Sequence, residues 1–366
     1  MPRIFQFLLC LFLTLCAASL TFAGNEADLA SHPIYSKYQF GRDGKVANLG
    51  SQPISVPSGV IGEIMLHDKI LKKSLATRGW EFRNHGFLKG QDANFFFQRG
   101  DINLIVSGDW PTITLAASQD ILVVGLVKQS FSSLLAKDAH QIGQLKGKRI
   151  GVALGSTAHY GLLIALTDAG LKETDVTLVP TENMEMIEAM NQGRIDAFSC
   201  WEPATTNALR IHPELKVVQR FMNSSYFSVS KEFARNNPEV TEQLVAAYVR
   251  ALRWMRQSDT NLMQAVDWML AAGELLLGKP TGLSPQDIAK TTTNDLLKIA
   301  HSPAVPRNDL AENGSVRRAF AFLQGQGKIP SDTSWEKIAA SFDRTLIDKI
   351  LANPKKYQLL QFDYEK

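Results

Sequence analysis

Cysteine is scarce. The chain has 366 residues and three cysteines, Cys10, Cys16 and Cys200. The first two lie in an apolar leader, so a chain that has shed it keeps one thiol and can form no internal disulfide. A polypeptide this long can do without, because it has enough residues for two domains that each bury a core. Long apolar runs are equally rare. Beyond the leader, none approaches the ~18 residues that a membrane-spanning helix needs. Charge imbalance is missing too: 39 basic against 36 acidic residues gives a net charge of +3. The basic residues are scattered, which gives no footing to a nucleic-acid partner. There is no repeat at solenoid periods and no low-complexity segment.

Enzymatic signatures are absent as well. The chain has no G-x-S-x-G elbow, no G-x-x-x-x-G-K-[ST] phosphate loop and no H-E-x-x-H. Ser228-Val229-Ser230-Lys231 fits S-x-x-K, but its partner motifs are missing. The seven histidines (32, 67, 85, 140, 159, 212, 301) never fall at metal-ligand spacing. Met and Leu stripes in 62–71 and in the C-terminal helices read as core, not as a cofactor box. No catalytic residue, metal or cofactor is therefore expected.

The leader itself is informative. Arg3 supplies a positive start, 4–15 are apolar, and Thr21-Phe22-Ala23 is a small-x-small site before Gly24. Residues 1–23 read as a signal peptide cleaved after Ala23, placing the mature protein in the periplasm. Two alternatives stand beside this: an uncleaved anchor over 4–22, and acylation at Cys16, against which the bulky Leu15 argues. Residues 24–43 are polar and read as a surface extension.

From there strands alternate with helices. Residues 46–56, 81–87, 101–106 and 121–127 read as strands. Ser58-Gly59 opens a helix with Ile61, Ile64, Met65, Ile70 and Leu71 on its apolar face, a second lies around 93–98, and Pro111 suits N1 of a third. Residues 130–137 look like a crossover to a second series. There, 149–153, 176–180 and 195–199 are short strands. After the first, Gly155-Ser156-Thr157 breaks the run and Ser156 suits an N-cap. His159, Leu162, Leu163, Leu166 and Ala169 then recur at helical spacing until Gly170. Asn183 reads as the cap of a helix carrying Ile187 and Met190, and Trp201-Glu202-Pro203 opens another. Residues 226–230 look like the return crossover. The remainder is expected to be helical, at 238–255, 261–272, 285–300, 316–324 and 335–351. The division is then lobe 1 over 44–129 and 225–366, and lobe 2 over 130–224.

Strand–helix alternation implies α/β architecture with parallel sheets, in which ligands sit beyond the carboxyl ends of the strands. One such rim carries Gly155, Ser156, Thr157, Ala158, His159, Asn183, Trp201 and Glu202. The other carries Gln52, Ser58, Gly59, Ser107, Asp109 and Trp110. In the functional reading, N–H groups and hydroxyls of the Gly155–His159 turn hold an anionic head group. Trp201 then offers an apolar wall and Glu202 a carboxylate for a cationic or donor group. In the structural reading the turn is a helix cap, His159 packs on the first turn, Trp201 is core, and Asp109 and Glu202 cap helices.

The ordered stretch LKGKRIGVALGSTAH, a helix ending in AGL, and NMEMIEAMNQGRIDAFSCWEP resembles the solute-binding proteins of ABC importers for sulfonates, taurine, nitrate and thiamine-related pyrimidines. More loosely, the resemblance runs from about residue 50 to residue 348. It implies a two-lobed periplasmic-binding-protein fold, type II-like, with a helical C-terminal region. It also implies a monomer that closes on a small anionic or zwitterionic solute and delivers it to a membrane permease. Sensing for a signalling receptor, binding of a pyrimidine or thiamine precursor, and enzymatic use of the scaffold are the alternatives. For the last, pyrimidine-synthase relatives carry a cysteine-rich motif and histidine, from which the lone Cys200 departs.

Overall fold

The structure is a computed structural model in which residues 26–42, 44–300 and 302–365 are described. The leader and its cleavage site lie outside the described residues. Two compact units divide the chain, Met1–Tyr38 and Gln39–Lys366. In the first, α1 (Glu26–Ser31) leads to a 3-10 turn at Tyr35–Lys37, and His32 stacks on Tyr35 with ring centroids 4.5 Å apart.

The second unit begins with β1 (Val46–Ser51), which pairs in parallel with β2 (Glu81–Gly86). Between them the single helix expected through Leu71 is two: α2 (Ser58–His67) and α3 (Lys69–Ala76). Asp68 makes the break. Its carboxylate accepts the Leu71 N–H at 2.9 Å and so caps a new helix. The buried Arg250 donates to the same carboxylate at 2.9 and 2.7 Å, tying the corner into the core. An apolar stripe carries no trace of such a corner, because Ile70 and Leu71 continue its spacing. Next come α4 (Gly90–Gln98), β3 (Leu104–Gly108) and α5 (Asp109–Ser118). Pro111 is the third residue of α5, not its first. It is tolerated because the first four N–H groups of a helix have no intrahelical partner.

Two strands are much longer than their sequence suggests. β4 runs Ile121–Ala136 and absorbs the expected crossover at 130–137; β8 runs Lys216–Ser230, of which only 226–230 were legible. They pair antiparallel from Ile121↔Ser230 to Ala136↔Lys216, with register shifts after Val123, Leu126 and Leu134. Each shift resets the in–out alternation, so a period-2 pattern cannot be followed through them. Between β4 and β8 lie β5 (Arg149–Val152), α6 (Thr157–Asp168), β6 (Thr177–Pro180), α7 (Met186–Asn191), β7 (Ala197–Cys200) and α8 (Ala204–Ile211). The result is one sheet in the order β2-β1-β3-β8-β4-β7-β5-β6. Its outer strands are parallel, while β8 and β4 run antiparallel to their neighbours.

Helices α9 (Lys231–Asn236), α10 (Pro238–Met255), α11 (Asp259–Leu277) and α12 (Pro285–Thr292) follow, then a π-helical turn at Thr293–Leu297. The last three are α13 (Ser315–Gly325), α14 (Trp335–Ser341) and α15 (Thr345–Ala352). The helices expected at 285–300 and 335–351 are thus each interrupted. Among the described residues, apolar clusters hold the sheet at both ends. Leu49, Leu104, Val106 and Val229 pack against α2, α10 and α11 at one end. At the other end Ile150, Val152 and Leu162 pack on one face, and Met186, Ala189 and Phe198 on the opposite one. Among the described residues no helix is long and apolar enough to cross a membrane.

Candidate ligand-binding site

The site lies where the end of β3 meets the start of α6, beside the middle of β4 and β8. Gly108 closes β3 with ordinary backbone angles (φ −70°), but a Cβ there would collide with the Thr157 hydroxyl at the α6 terminus. Asp109 follows and gathers donors from three directions. It accepts from the Trp110 N–H at 2.8 Å, from the Ser224 N–H at 3.4 Å and from the Thr157 hydroxyl. Burial pushes its carboxyl up to about 6, against the pull of these donors and of Lys128.

On the α6 side, Ser156 is the N-cap as read from the sequence, its hydroxyl accepting the His159 N–H at 3.2 Å. Gly155 has φ 74°, the left-handed region that glycine fills without cost, and its N–H donates to His159 Nδ1 at 3.2 Å. That bond leaves the proton on Nε2, which faces Glu173 at 3.7 Å. The ring is fully buried and stacks on Trp110 with centroids 4.8 Å apart. Burial lowers its pKa, opposed by Glu173, and the ring is engaged inside the protein by the Gly155 N–H and by Trp110.

A cavity of about 30 Å³ opens between these elements. Gln52, Ser55, Lys128, Ser156, Thr157 and Ser225 give it polar groups, and Trp201 and Pro111 give it apolar wall. Lys128 is 4% exposed. Its ammonium donates to the Val56 carbonyl at 3.2 Å and keeps two further protons. Burial lowers its pKa; Asp295, Glu202 and Asp109 pull it back up. Lys89, also at the cavity, is paired with Glu182 and with Asp92. A much larger groove of about 1160 Å³ lies elsewhere, between Phe97, Asp120, Lys231 and Lys349. We favour the smaller cavity because buried polar groups converge on it, which is what ligand recognition requires.

The residues singled out from sequence divide accordingly. Gln52, Ser156, Thr157 and Trp201 line the cavity. Asp109, Ala158 and Gly155 shape its walls from behind: Ala158 packs with Ala153 and Trp201, and its carbonyl accepts from Ser199 at 2.8 Å. Ser107 is bound to Thr112 at 2.8 Å, and Ser58 donates to the Ser55 carbonyl at 3.2 Å. Gly59 is required by packing, since a Cβ would stand 2.7 Å from the Gln52 carbonyl. Asn183 does not cap a helix. Its side-chain amide pairs with both backbone groups of Trp201, at 3.1 and 3.2 Å, and fixes that residue. Glu202 accepts the Thr206 N–H at 3.1 Å and caps α8, while its charge reaches Lys128. Lining residues that the sequence reading missed include Ser55, Lys89, Lys128 and Ser225, and Asp295 acts on Lys128 from outside the lining. Only Lys128 left a signal: it is one charge in the run ILVVGLVK, where a buried cation needs partners.

Comparison with known proteins places this geometry. Residues 109–260 match the sequence profile of the family described as NMT1/THI5 like. The taurine-binding periplasmic protein of Escherichia coli (strain K12) is 28% identical over 277 residues, covering 71% of this chain and 81% of that protein. Two further curated relatives are matched over 50% and 46% of their own length. Among solved structures, the alkanesulfonate-binding protein SsuA from Xanthomonas axonopodis pv. citri bound to MOPS has a TM-score of 0.61 at 19% identity, covering 82% of this chain and 98% of that one. The desulfurization enzyme DSZB has a TM-score of 0.52 at 16% identity, covering 85% of this chain and all of that one. Likeness at this level carries architecture and not chemistry. Residues 109–260 match the NMT1/THI5 like family model, and the chain is similar in sequence to a taurine-binding periplasmic protein over 71% of its length and in fold to an alkanesulfonate-binding protein over 82% of it.

Proposed function

We propose that the chain is the solute-binding protein of an ABC importer, taking a small organic solute with a sulfonate-type head into the cleft and passing it to a membrane permease. The observation that carries this is Lys128, a buried ammonium with unused protons in a cavity walled by hydroxyls, one amide and one indole. Such a set gives an anionic head charge-assisted hydrogen bonds and leaves the tail an apolar face. Similarity to the taurine-binding protein supports the solute class. Export would follow from removal of residues 1–23 after Ala23.

In this reading residues 44–129 with 225–366 form one lobe and 130–224 the other, hinged on β4 and β8. The cavity as it stands has room for a few waters, so entry of a seven-heavy-atom solute requires the lobes to part. We read the protein as a binder and not an enzyme. Cys200 is fully buried against Thr205 at 3.3 Å, and burial pushes its thiol up to about 12, far from nucleophilic use.

A thermal-shift panel of taurine, 1-propanesulfonate, nitrate and a hydroxymethylpyrimidine tests the reading. A sulfonate at a thousand times its Kd should add about 4 kcal/mol to the folded state and raise the melting temperature by several degrees. A shift with the pyrimidine alone would move the assignment to the thiamine-precursor class.

A further inference from the structure

Lys128 lines the cavity, and three carboxylates from outside its lining act on the ammonium, so that the four groups arrive from four separate elements. Lys128 comes from β4, Asp109 begins α5, Glu202 follows β7, and Asp295 sits in the π-helical turn after α12. Each acid is tied to the immediate surroundings of the ammonium. Asp295 accepts from Ser130, two residues along β4 from Lys128. The Glu202 carbonyl accepts the Val56 N–H at 3.2 Å, and the Val56 carbonyl in turn accepts from Lys128 at 3.2 Å. Asp109 accepts from Ser224, whose neighbour Ser225 is the register partner of Lys128. With all groups ionised, Lys128 stands against three negative charges, while Lys89, the other cation lining the cavity, is offset by Glu182 and Asp92. A plain anion placed on Lys128 adds a further negative charge to that cluster.

Resting on the sulfonate reading above, we propose that an anion enters this cleft only together with one positive charge: an ammonium carried by the solute itself, or a proton taken up by the carboxylate cluster. An aminoalkanesulfonate brings its own cation and binds without proton uptake. An alkanesulfonate of the same length binds with a carboxylate becoming a carboxylic acid, one proton coming from solvent.

The surroundings fit. Burial already raises the pKa of all three acids, Asp109 to about 6, so a proton has somewhere to go near neutral pH. The other titratable groups facing the cluster do not compete. Lys89 is held by Glu182 and Asp92. The phenols of Tyr160 and Tyr226, near Asp109, and the thiol of Cys200, near Glu202, are all pushed upward by burial. Arg318 acts on Tyr160 and Asp309 on Tyr226, one position further out. Asp295 was invisible in sequence because its turn is a local π-helix, a distortion often kept where a side chain must be aimed.

The test is calorimetric titration of taurine and 1-propanesulfonate from pH 6 to pH 8, in buffers of different ionisation enthalpy. Taurine should bind with no net proton uptake and less than about twofold change in Kd. Propanesulfonate should take up close to one proton and weaken by about tenfold per pH unit once the acceptor's pKa is passed. Asp295→Asn should flatten that pH dependence, tighten propanesulfonate at pH 8 and weaken taurine. Equal pH profiles for the two solutes, or proton uptake absent for both, would overturn the proposal. Failure of both solutes to bind at millimolar concentration at any pH would instead sink the sulfonate reading, and this inference with it.

Discussion

A charged group taken out of water must find partners or give up its charge, and two buried residues of this chain take different routes. Burial pushes Lys128 toward its neutral form, and Asp295, Glu202 and Asp109 oppose that. Glu63 on α2, 6% exposed, accepts from Asn84 at 2.8 Å, and burial pushes its carboxyl up to about 7. The folded state therefore holds a proton that the unfolded chain sheds from about pH 4.5 upward. Stability should fall as pH rises from about 4.5 to 7 and be flat above that. Glu63→Gln keeps an acceptor for Asn84 and removes the titration. Melting curves should place it above the natural protein by about 3 kcal/mol at pH 8 and level with it at pH 4. An equal gain at both pH values would mean that packing, and not charge, is responsible. At this scale the sequence was legible where chemistry is local. Ser156 caps α6 three residues before the N–H it accepts, and Gly155 turns the chain where only glycine turns freely. Asn183 and Lys128 were not, because Trp201 and Val56, which define their roles, stand far along the chain.

Elements approach closely at one point that a single methyl group should upset. The Gly108 backbone would admit any residue; the Thr157 hydroxyl is what forbids a side chain there. Gly108→Ala should hold the start of α6 away from the end of β3. Overpacking of this kind costs about 1–3 kcal/mol, expressed in this case as a roughly tenfold to hundredfold loss of solute affinity. Calorimetry with melting curves separates the outcomes. Lower affinity with an unchanged melting temperature is expected for the ligand-free protein. A lower melting temperature with affinity intact would make the contact mere packing. The short strands and the helix termini on the rims were readable because each is bounded by Gly, Ser or Pro within a few residues. β4 and β8 were not, since three register shifts and the mostly polar stretch from Lys128 to Ser133, broken only by Phe131, erase the alternation. The Asp68 corner was hidden for the opposite reason: the apolar spacing continues across it.

Across the whole of the second unit, two apolar cores sit at opposite ends of one sheet whose shared members are β4 and β8. The cavity between these ends draws its polar groups from both sides: Gln52 and Ser55 from one, Ser156 and Thr157 from the other. Lys128 stands on the shared strand between them. The account therefore depends on that ammonium more than on any other group. The direct test is a calorimetric titration of taurine and 1-propanesulfonate into the natural protein and into Lys128→Met, with circular dichroism to verify folding. The account predicts one-to-one binding by the natural protein and a loss of about 3 kcal/mol, or two decades in Kd, in the variant. Undiminished binding by a folded Lys128→Met protein would contradict it.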